Sequence, residues 1–456
     1  MNASTHAEHA AHDIAAHLHP FTNLATHPQV GPLVIQRGDG IFVEDDQGRR
    51  YLEAMSGLWC ASLGFSNARL AKAGSEALHG LPYYHTFNGR SNPAAIALAE
   101  KLLALAPVPM SKVFFANSGS EANDSAVKLV WYYHNAIGKP EKKKIIARRN
   151  AYHGVTVAAA SLSGLAPNHR DFDLPIDRIL HVDCPHHFRY AEAGESEEDF
   201  ATRLAAALEQ RILDEDPETV GAFIAEPVMG AGGVLVPPAT YFDKVQKVLA
   251  KYEVLLIADE VICGFGRTGQ MFGSATFGLR PDILTAAKAL SSGYVPISAV
   301  MVSEKVHAAV AANSGKIGTF GHGFTYSGHP VACAIALETL KVYEDENLLA
   351  HVQSLVPQFQ QGLQGHAARR YVGEVRGVGL IGAIELYADP ARRTPFDPAL
   401  KAGARLAELA LAQGLIVRAM GDSIAFCPPL IITAEQIDDM FARFGRAMAI
   451  FEETFA

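Results

Sequence analysis

Between residues 112 and 302 seven short apolar runs recur: KVFFA (112–116), KIIAR (144–148), RILHV (178–182), GAFIA (221–225), VLLIA (254–258), DILTA (282–286) and SAVMV (298–302). Strands this short and this apolar are buried on both faces, and the stretches between them carry helical spacing. Such alternation specifies an α/β fold: a mostly parallel seven-stranded sheet covered by helices. The acidic stretch 191–218 alternates apolar and charged residues at helical spacing and is expected to be one of those covers.

The flanks read differently. Residues 5–19, rich in histidine, are compatible with a helix that ends at Pro20, and GDGIFVEDDQGRRYLEAMSG holds two short strands around a turn. Asn92 is placed as an N-cap with Pro93 at the first helical position. After Pro330 come helices, the hairpin-like runs VGLIGAIEL, LIVRA and SIAFCPPL, and a last helix opened by Thr433 and Gln436 in capping-box spacing. These imply a smaller α+β unit built from the two chain ends. The expected division is 1–70 and 331–456 for that unit and 71–330 for the large one.

Composition excludes several classes. With 39 basic and 48 acidic residues the net charge is −9, which argues against nucleic acid or an anionic membrane surface as partner. No apolar run reaches the ~20 residues of a membrane span. The N-terminal stretch has no Lys or Arg before Arg37 and lacks the shape of a signal peptide, so the cytoplasm is the expected location. Five scattered cysteines form no CxxC pair, and His6, His9 and His12 find no carboxylate or thiolate at matching spacing; no metal site is expected.

Chemistry concentrates at four places. Lys288 is the only charged residue from Ile283 to Ser303. An ammonium among apolar and small residues is costly, so such a lysine either snorkels to the surface or serves as a nucleophilic amine. Asp259 ends the VLLIA strand, at the sheet edge where α/β proteins bind ligands, while Glu260 points to the opposite face. Asn117-Ser118-Gly119-Ser120 joins a strand to a helix start and forms an anion cradle without the lysine of a nucleoside-triphosphate loop. Tyr152, after the KIIAR strand, can stack on a flat ring. Gly264, Gly266 and Gly269 match a dinucleotide fingerprint, but no helix follows at once, which weakens a nicotinamide reading.

One ligand satisfies these four: a phosphate, an aromatic ring with a basic nitrogen, and a carbonyl for an amine. Pyridoxal 5′-phosphate (PLP) carries all three. The motifs NSGSEAND, Tyr152-His153-Gly154, Glu226-Pro227, ADEVICGFGRTG and TAAKALSSG, in this order across residues 18–445, resemble those of class III (omega) aminotransferases, which are fold-type I PLP enzymes. The resemblance implies that Lys288 forms the Schiff base and carries the proton, and that Asp259 pairs with the ring nitrogen. It gives Tyr152 and Val261 the two ring faces and Ser118, Gly119 and Ser120 the phosphate. Glu226 would support Asp259 and the ring's surroundings, and Thr325 would reach the phosphate from the neighbouring subunit. That last role implies a homodimer with shared active sites, with a dimer of dimers left open.

SGLWCASLGF, HPFTN and YYHTFNGRSNP further resemble the amine:pyruvate branch. On that resemblance Phe21, Trp59, Phe87 and Tyr152 wall an apolar amine pocket, and Arg418 binds the keto acid's carboxylate. The implied reaction moves an amino group from a primary amine to pyruvate by a ping-pong mechanism, yielding an aldehyde or ketone and alanine. A 2-oxoglutarate-using omega-amino acid aminotransferase is the alternative.

Overall fold

The computed structural model describes residues 6–455. The chain opens with a helix, His6–Ala16, and an antiparallel meander of β1 (Ile35–Asp39), β2 (Phe42–Asp45) and β3 (Arg50–Glu53). The helix is not simply a solvated face: the rings of His6 and His9 both bond Asp46, at 2.7 and 2.8 Å, and only His12 of that trio is exposed.

The central sheet holds β4 (Lys112–Ala116), β5 (Lys144–Arg148), β6 (Ile179–Val182), β7 (Val220–Ala225), β8 (Leu255–Asp259), β9 (Ile283–Ala286) and β10 (Ser298–Val302). Their spatial order is β4-β10-β9-β8-β7-β5-β6. Every neighbouring pair from β9 to β6 is parallel, and β10 runs against both β4 and β9. The connection from β9 to β10 holds only a 3-10 turn, Lys288–Ser291. A parallel return needs a longer crossover, normally a helix, so the chain comes back antiparallel.

Strands β7, β8, β9 and β10 are buried along their whole length because both faces are covered. On one face the helix Gly119–Ala136 seats Ala122, Ala126, Leu129 and Val130 against Ile145, Ile257 and Val300. On the other lie Phe200, Leu204, Leu208 and Ile212 of the helix Glu197–Asp214 and Phe242 and Val245 of Tyr241–Lys251. The acidic stretch therefore is a covering helix, with Glu197, Glu198 and Asp199 in its first turn, where the helix dipole favours them.

The last part of the chain adds β11 (Val372–Val378), β12 (Ile381–Leu386), β13 (Leu415–Ile416), β14 (Arg418–Met420) and β15 (Ser423–Phe426). LIVRA is thus two strands with a break at Val417. The first half, β13, pairs parallel with β3 of the N-terminal meander, Leu415 opposite Leu52, while β14 joins the sheet β11-β12-β15-β14. Both chain ends meet in one sheet, and the break sends Arg418 into the other. The two caps read from the sequence are present: Asn92 Oδ1 accepts from Ala95 N at 2.9 Å, and Thr433 and Gln436 form a reciprocal capping box. All five cysteines are free, and four are buried.

Candidate active site

Asp259 closes β8 and Lys288 opens the turn that follows β9, so two neighbouring parallel strands deliver a carboxylate and an amine to the same edge of the sheet. Between them lies a cavity lined by Gly119, Ser120, Tyr152, Glu226, Val261 and Lys288, among others. Burial lowers the pKa of Lys288, while Cys60, Asp259 and Glu226 pull the other way. Its backbone is left-handed at φ +50°, a conformation that the tight turn imposes.

Asp259 is held from behind. Its Oδ2 accepts from Asn123 Nδ2 at 2.8 Å and meets His153 Nδ1 at 2.7 Å, and its Oδ1 accepts from the backbone N–H of Val261 at 3.1 Å. Asn123 in turn accepts from the Thr285 hydroxyl at 2.9 Å and donates to the His153 carbonyl at 2.7 Å. Glu260 turns away, as alternation requires, and accepts from Gly273 N and Ser274 N. Asn123 and His153 were not singled out from the sequence. The signals were there: Asn123 lies one helical turn after Gly119 and so shares its face, and His153 adjoins Tyr152.

Glu226 does not bond Asp259. Its two oxygens accept from Tyr152 N and Gly230 N, each at 3.0 Å, so its support is of the loop that presents Tyr152, and burial raises its pKa. The anion cradle also differs in one residue. The Ser118 hydroxyl caps the helix Gly119–Ala136 by accepting from Glu121 N at 3.2 Å, and the residue is exposed rather than in the cavity. A short hydroxyl at an N-cap is drawn to the third N–H, which leaves the first two, of Gly119 and Ser120, to an incoming anion.

Backbone approach at the cradle is close enough to demand glycine. A Cβ on Gly119 would stand 3.1 Å from Val261 Cγ1, and one on Gly154, at φ +130°, would stand 2.5 Å from Ser120 Oγ. A cavity whose lining includes Tyr152 and Val261, the first residues of the helix Gly119–Ala136 and the Asp259 carboxylate has the donors and surfaces a phosphorylated pyridine needs. The amine of Lys288 stands at its side.

The small unit packs beside the cavity rather than lining it, with Trp59 in a buried cluster that includes Ile262 of the lining. Trp59, left-handed at φ +65°, is buried at 3% exposure with Val228, Ile262 and Cys263. Glu53 accepts from Met55 N at 3.1 Å and from Gly57 N, fixing the turn that carries Trp59. Arg418 is half-buried and close enough to feel the charge of Tyr152, and burial lowers its pKa. Three expected residues stand apart: Phe21 is 71% exposed, Phe87 43% exposed, and Thr325 lies on an exposed loop where Tyr83 bonds its carbonyl at 2.9 Å. Within one chain none of them lines the cavity; Phe87 sits on a 3-10 turn, Phe87–Gly89, against Gly323. The glycines at 264, 266 and 269 make a coil closed by the Phe265 N to Met271 O bond, with Arg267 tied to the carbonyls of Leu380 and Pro428. The helix that follows, Gly273–Phe277, has only five residues and already gives the N–H groups of Gly273 and Ser274 to Glu260, so it is not open to a dinucleotide.

The sequence profile of the family Aminotransferase class-III matches residues 25–448. The chain is a class III aminotransferase. Gamma-aminobutyrate transaminase 1, mitochondrial, of Oryza sativa subsp. indica is 51% identical over 440 residues, 96% of this chain and 85% of its own. The omega transaminase of Pseudomonas jessenii, solved in complex with PMP, is 56% identical with a TM-score of 0.97, covering 98% of each chain. A thermostable omega transaminase altered at a tryptophan, a phenylalanine and an arginine for asymmetric synthesis of enantiopure bulky amines is 55% identical with a TM-score of 0.97, covering 98% of this chain and 100% of its own. The cofactor of the family is PLP, and the residues around the cavity fit it.

Proposed function

We propose that the enzyme transfers an amino group from a primary amine to pyruvate by a ping-pong mechanism, releasing an aldehyde or ketone and alanine. The observation that carries this reading is Arg418 on the half-buried strand β14, close enough for its charge to act on Tyr152 and Lys288 of the cavity lining. A guanidinium there binds the carboxylate of the keto acid through its two-pronged fork. The engineered omega transaminase named above supports it: the tryptophan, phenylalanine and arginine altered there carry numbers one below Trp59, Phe87 and Arg418.

PLP, when bound, supplies an electrophilic carbon for the amine and a ring that withdraws the electron pair released at the substrate carbon. The chain's residues do the rest. Asp259 would pair with the ring nitrogen and keep it protonated, and Asn123 and His153 hold that carboxylate in place. Lys288 would anchor the cofactor and hold or release a proton at its Nζ, and burial shifts that amine toward its neutral form. Gly119 and Ser120 would hold the phosphate, and Tyr152 and Val261 would confine the ring.

Lys288→Ala should abolish turnover and the visible absorbance of the loaded enzyme. Arg418→Ala should lower kcat/KM for pyruvate on the order of 10- to 100-fold and leave a carboxylate-free amine within about threefold, since it removes an interaction made by one substrate alone. Equal losses for both substrates would overturn the reading. The gamma-aminobutyrate transaminase similarity favours a second reading, an omega-amino acid as donor with 2-oxoglutarate as acceptor. A donor panel of monoamines and omega-amino acids, assayed with each keto acid, separates the two.

The assembly proposed is a homodimer in which Thr325, Phe21 and Phe87 complete the partner's site, a role their exposed positions allow. Mixing Lys288→Ala with Thr325→Ala chains should restore one native site per mixed dimer, and no recovery of activity would count against sharing. Four buried, unpaired cysteines support a reducing compartment, for which the cytoplasm is proposed and cell fractionation is the test.

A further inference from the structure

We infer that the N-terminal segment holds a divalent transition-metal site, built from Asp13, His17, His19 and His27 and suited to Zn²⁺. The Asp13 carboxylate is approached by three imidazoles: His17 Nδ1 lies 3.3 Å from Oδ1, and His19 Nε2 and His27 Nε2 lie 2.7 and 3.2 Å from Oδ2. The rings lie close together, with centroids 4.2 Å apart for His17 and His19 and 4.3 Å for His19 and His27. The ligand atoms of Asp13, His17 and His19 all lie within 4.8 Å of one another. A tetrahedron with metal–ligand bonds of about 2.05 Å has edges of about 3.3 Å, so Asp13, His17 and His19 are within a small adjustment of a common ion, and His27, at 3.2 Å from Asp13 Oδ2, is placed to be the fourth ligand.

The donor set suits the ion. Three neutral imidazoles and one carboxylate form a borderline-soft, singly charged set of the kind that binds Zn²⁺. Solvent is held off on one side only: His27, His19 and Asp13 side chains are 11, 23 and 21% exposed, while His17, at 60%, faces water. Among the described residues the ion pairs of Asp13 are all with histidine. The other grouping of possible ligands, His186, Glu374 and Glu385, shows the contrast: there Arg376 Nη1 stands 2.6 and 2.5 Å from the two carboxylates and already provides the cation.

The sequence expectation of no metal rested on His6, His9 and His12. The fold sends two of those to Asp46 and instead folds the chain back at Pro20, which brings His27 onto the end of the helix. His19 and His27 bracket the loop that carries Phe21, so a bound ion closes that loop into a ring.

The test is titration of the untagged, PLP-loaded enzyme with Zn²⁺ against a chromophoric chelator. The expected result is one ion per chain, a loss of affinity on the order of 100-fold in His27→Ala and in His17→Ala/His19→Ala, and no change in His6→Ala/His9→Ala. Zn²⁺ should also slow amide hydrogen exchange over residues 17–31 in the native enzyme and not in His27→Ala. Absence of stoichiometric binding would overturn the site. So would binding that survives His27→Ala, or that depends on His6 and His9.

Discussion

Replacing Asn123 by alanine removes three hydrogen bonds from a site sealed from water. One of them, to Asp259 Oδ2 at 2.8 Å, goes to a carboxylate, and such bonds contribute about 1.5–3 kcal/mol where neutral ones contribute about 1 kcal/mol. The bonds with Thr285 Oγ1 and the His153 carbonyl are neutral. The fold itself needs none of them to place Asp259 on β8, so the effect should fall on how firmly the carboxylate meets the cofactor. A loss of 1.5–3 kcal/mol at that contact corresponds to PLP binding weakened roughly 10- to 150-fold. Equilibrium dialysis of the apoenzyme against PLP, read by visible absorbance, measures it. Thr285→Val removes only the outer bond and keeps the side chain's shape, so about fivefold is expected. The order matters more than either number. Equal effects of the two variants, or Asn123→Ala within twofold of the native enzyme, would refute the claim that Asp259 is positioned through Asn123.

Gly154→Ala should weaken PLP at least tenfold and lower Tm, because its φ of +130° and the 2.5 Å approach to Ser120 Oγ leave no place for a methyl group; a native-like dissociation constant would show that the cradle can yield. Burial pushes Glu53 and Glu260 up to about 7, against 4.5 for an ordinary glutamate. The folded chain then keeps two protons that the unfolded chain sheds from pH 4.5 upward, so their contribution to stability is whole below pH 4.5 and lost as pH rises to 7, at about 1.4 kcal/mol per pH unit per group. Melting curves from pH 5 to 8 should show Tm falling with pH, and Glu53→Gln/Glu260→Gln should flatten that slope. Thr433→Ala deletes half of the capping box on the last helix and should cost about 1 kcal/mol in denaturant unfolding with activity per folded chain unchanged.

What the chain displays openly is whatever burial alone enforces. A strand covered on both faces has to be apolar throughout, and the runs that form β7 to β10 are, while the edge strands β4 and β6 are only partly buried; a lysine amid such runs draws notice, as Lys288 does. Apolarity carries no direction, though, and SAVMV reads the same whether it lies with or against its neighbour. Only the connection after β9, too short for a helix, shows that β10 must return antiparallel. Hydrogen bonds are less legible still. The contacts of Asp259 with Asn123 and His153 join residues 136 and 106 positions apart, and no periodicity in one segment encodes the angle at which another will arrive. The same applies to His27, which becomes a neighbour of Asp13 only when the chain turns at Pro20. Phe21, Phe87 and Thr325 are a different case. Their side chains answer to no burial in their own chain, so local pattern is silent about them, and only resemblance to relatives singled them out. Single exposed rings are ordinary on a protein surface, so their exposure alone does not call for a partner. A second copy placing those segments over its neighbour's cavity, as proposed above, would cover them and complete both sites at once.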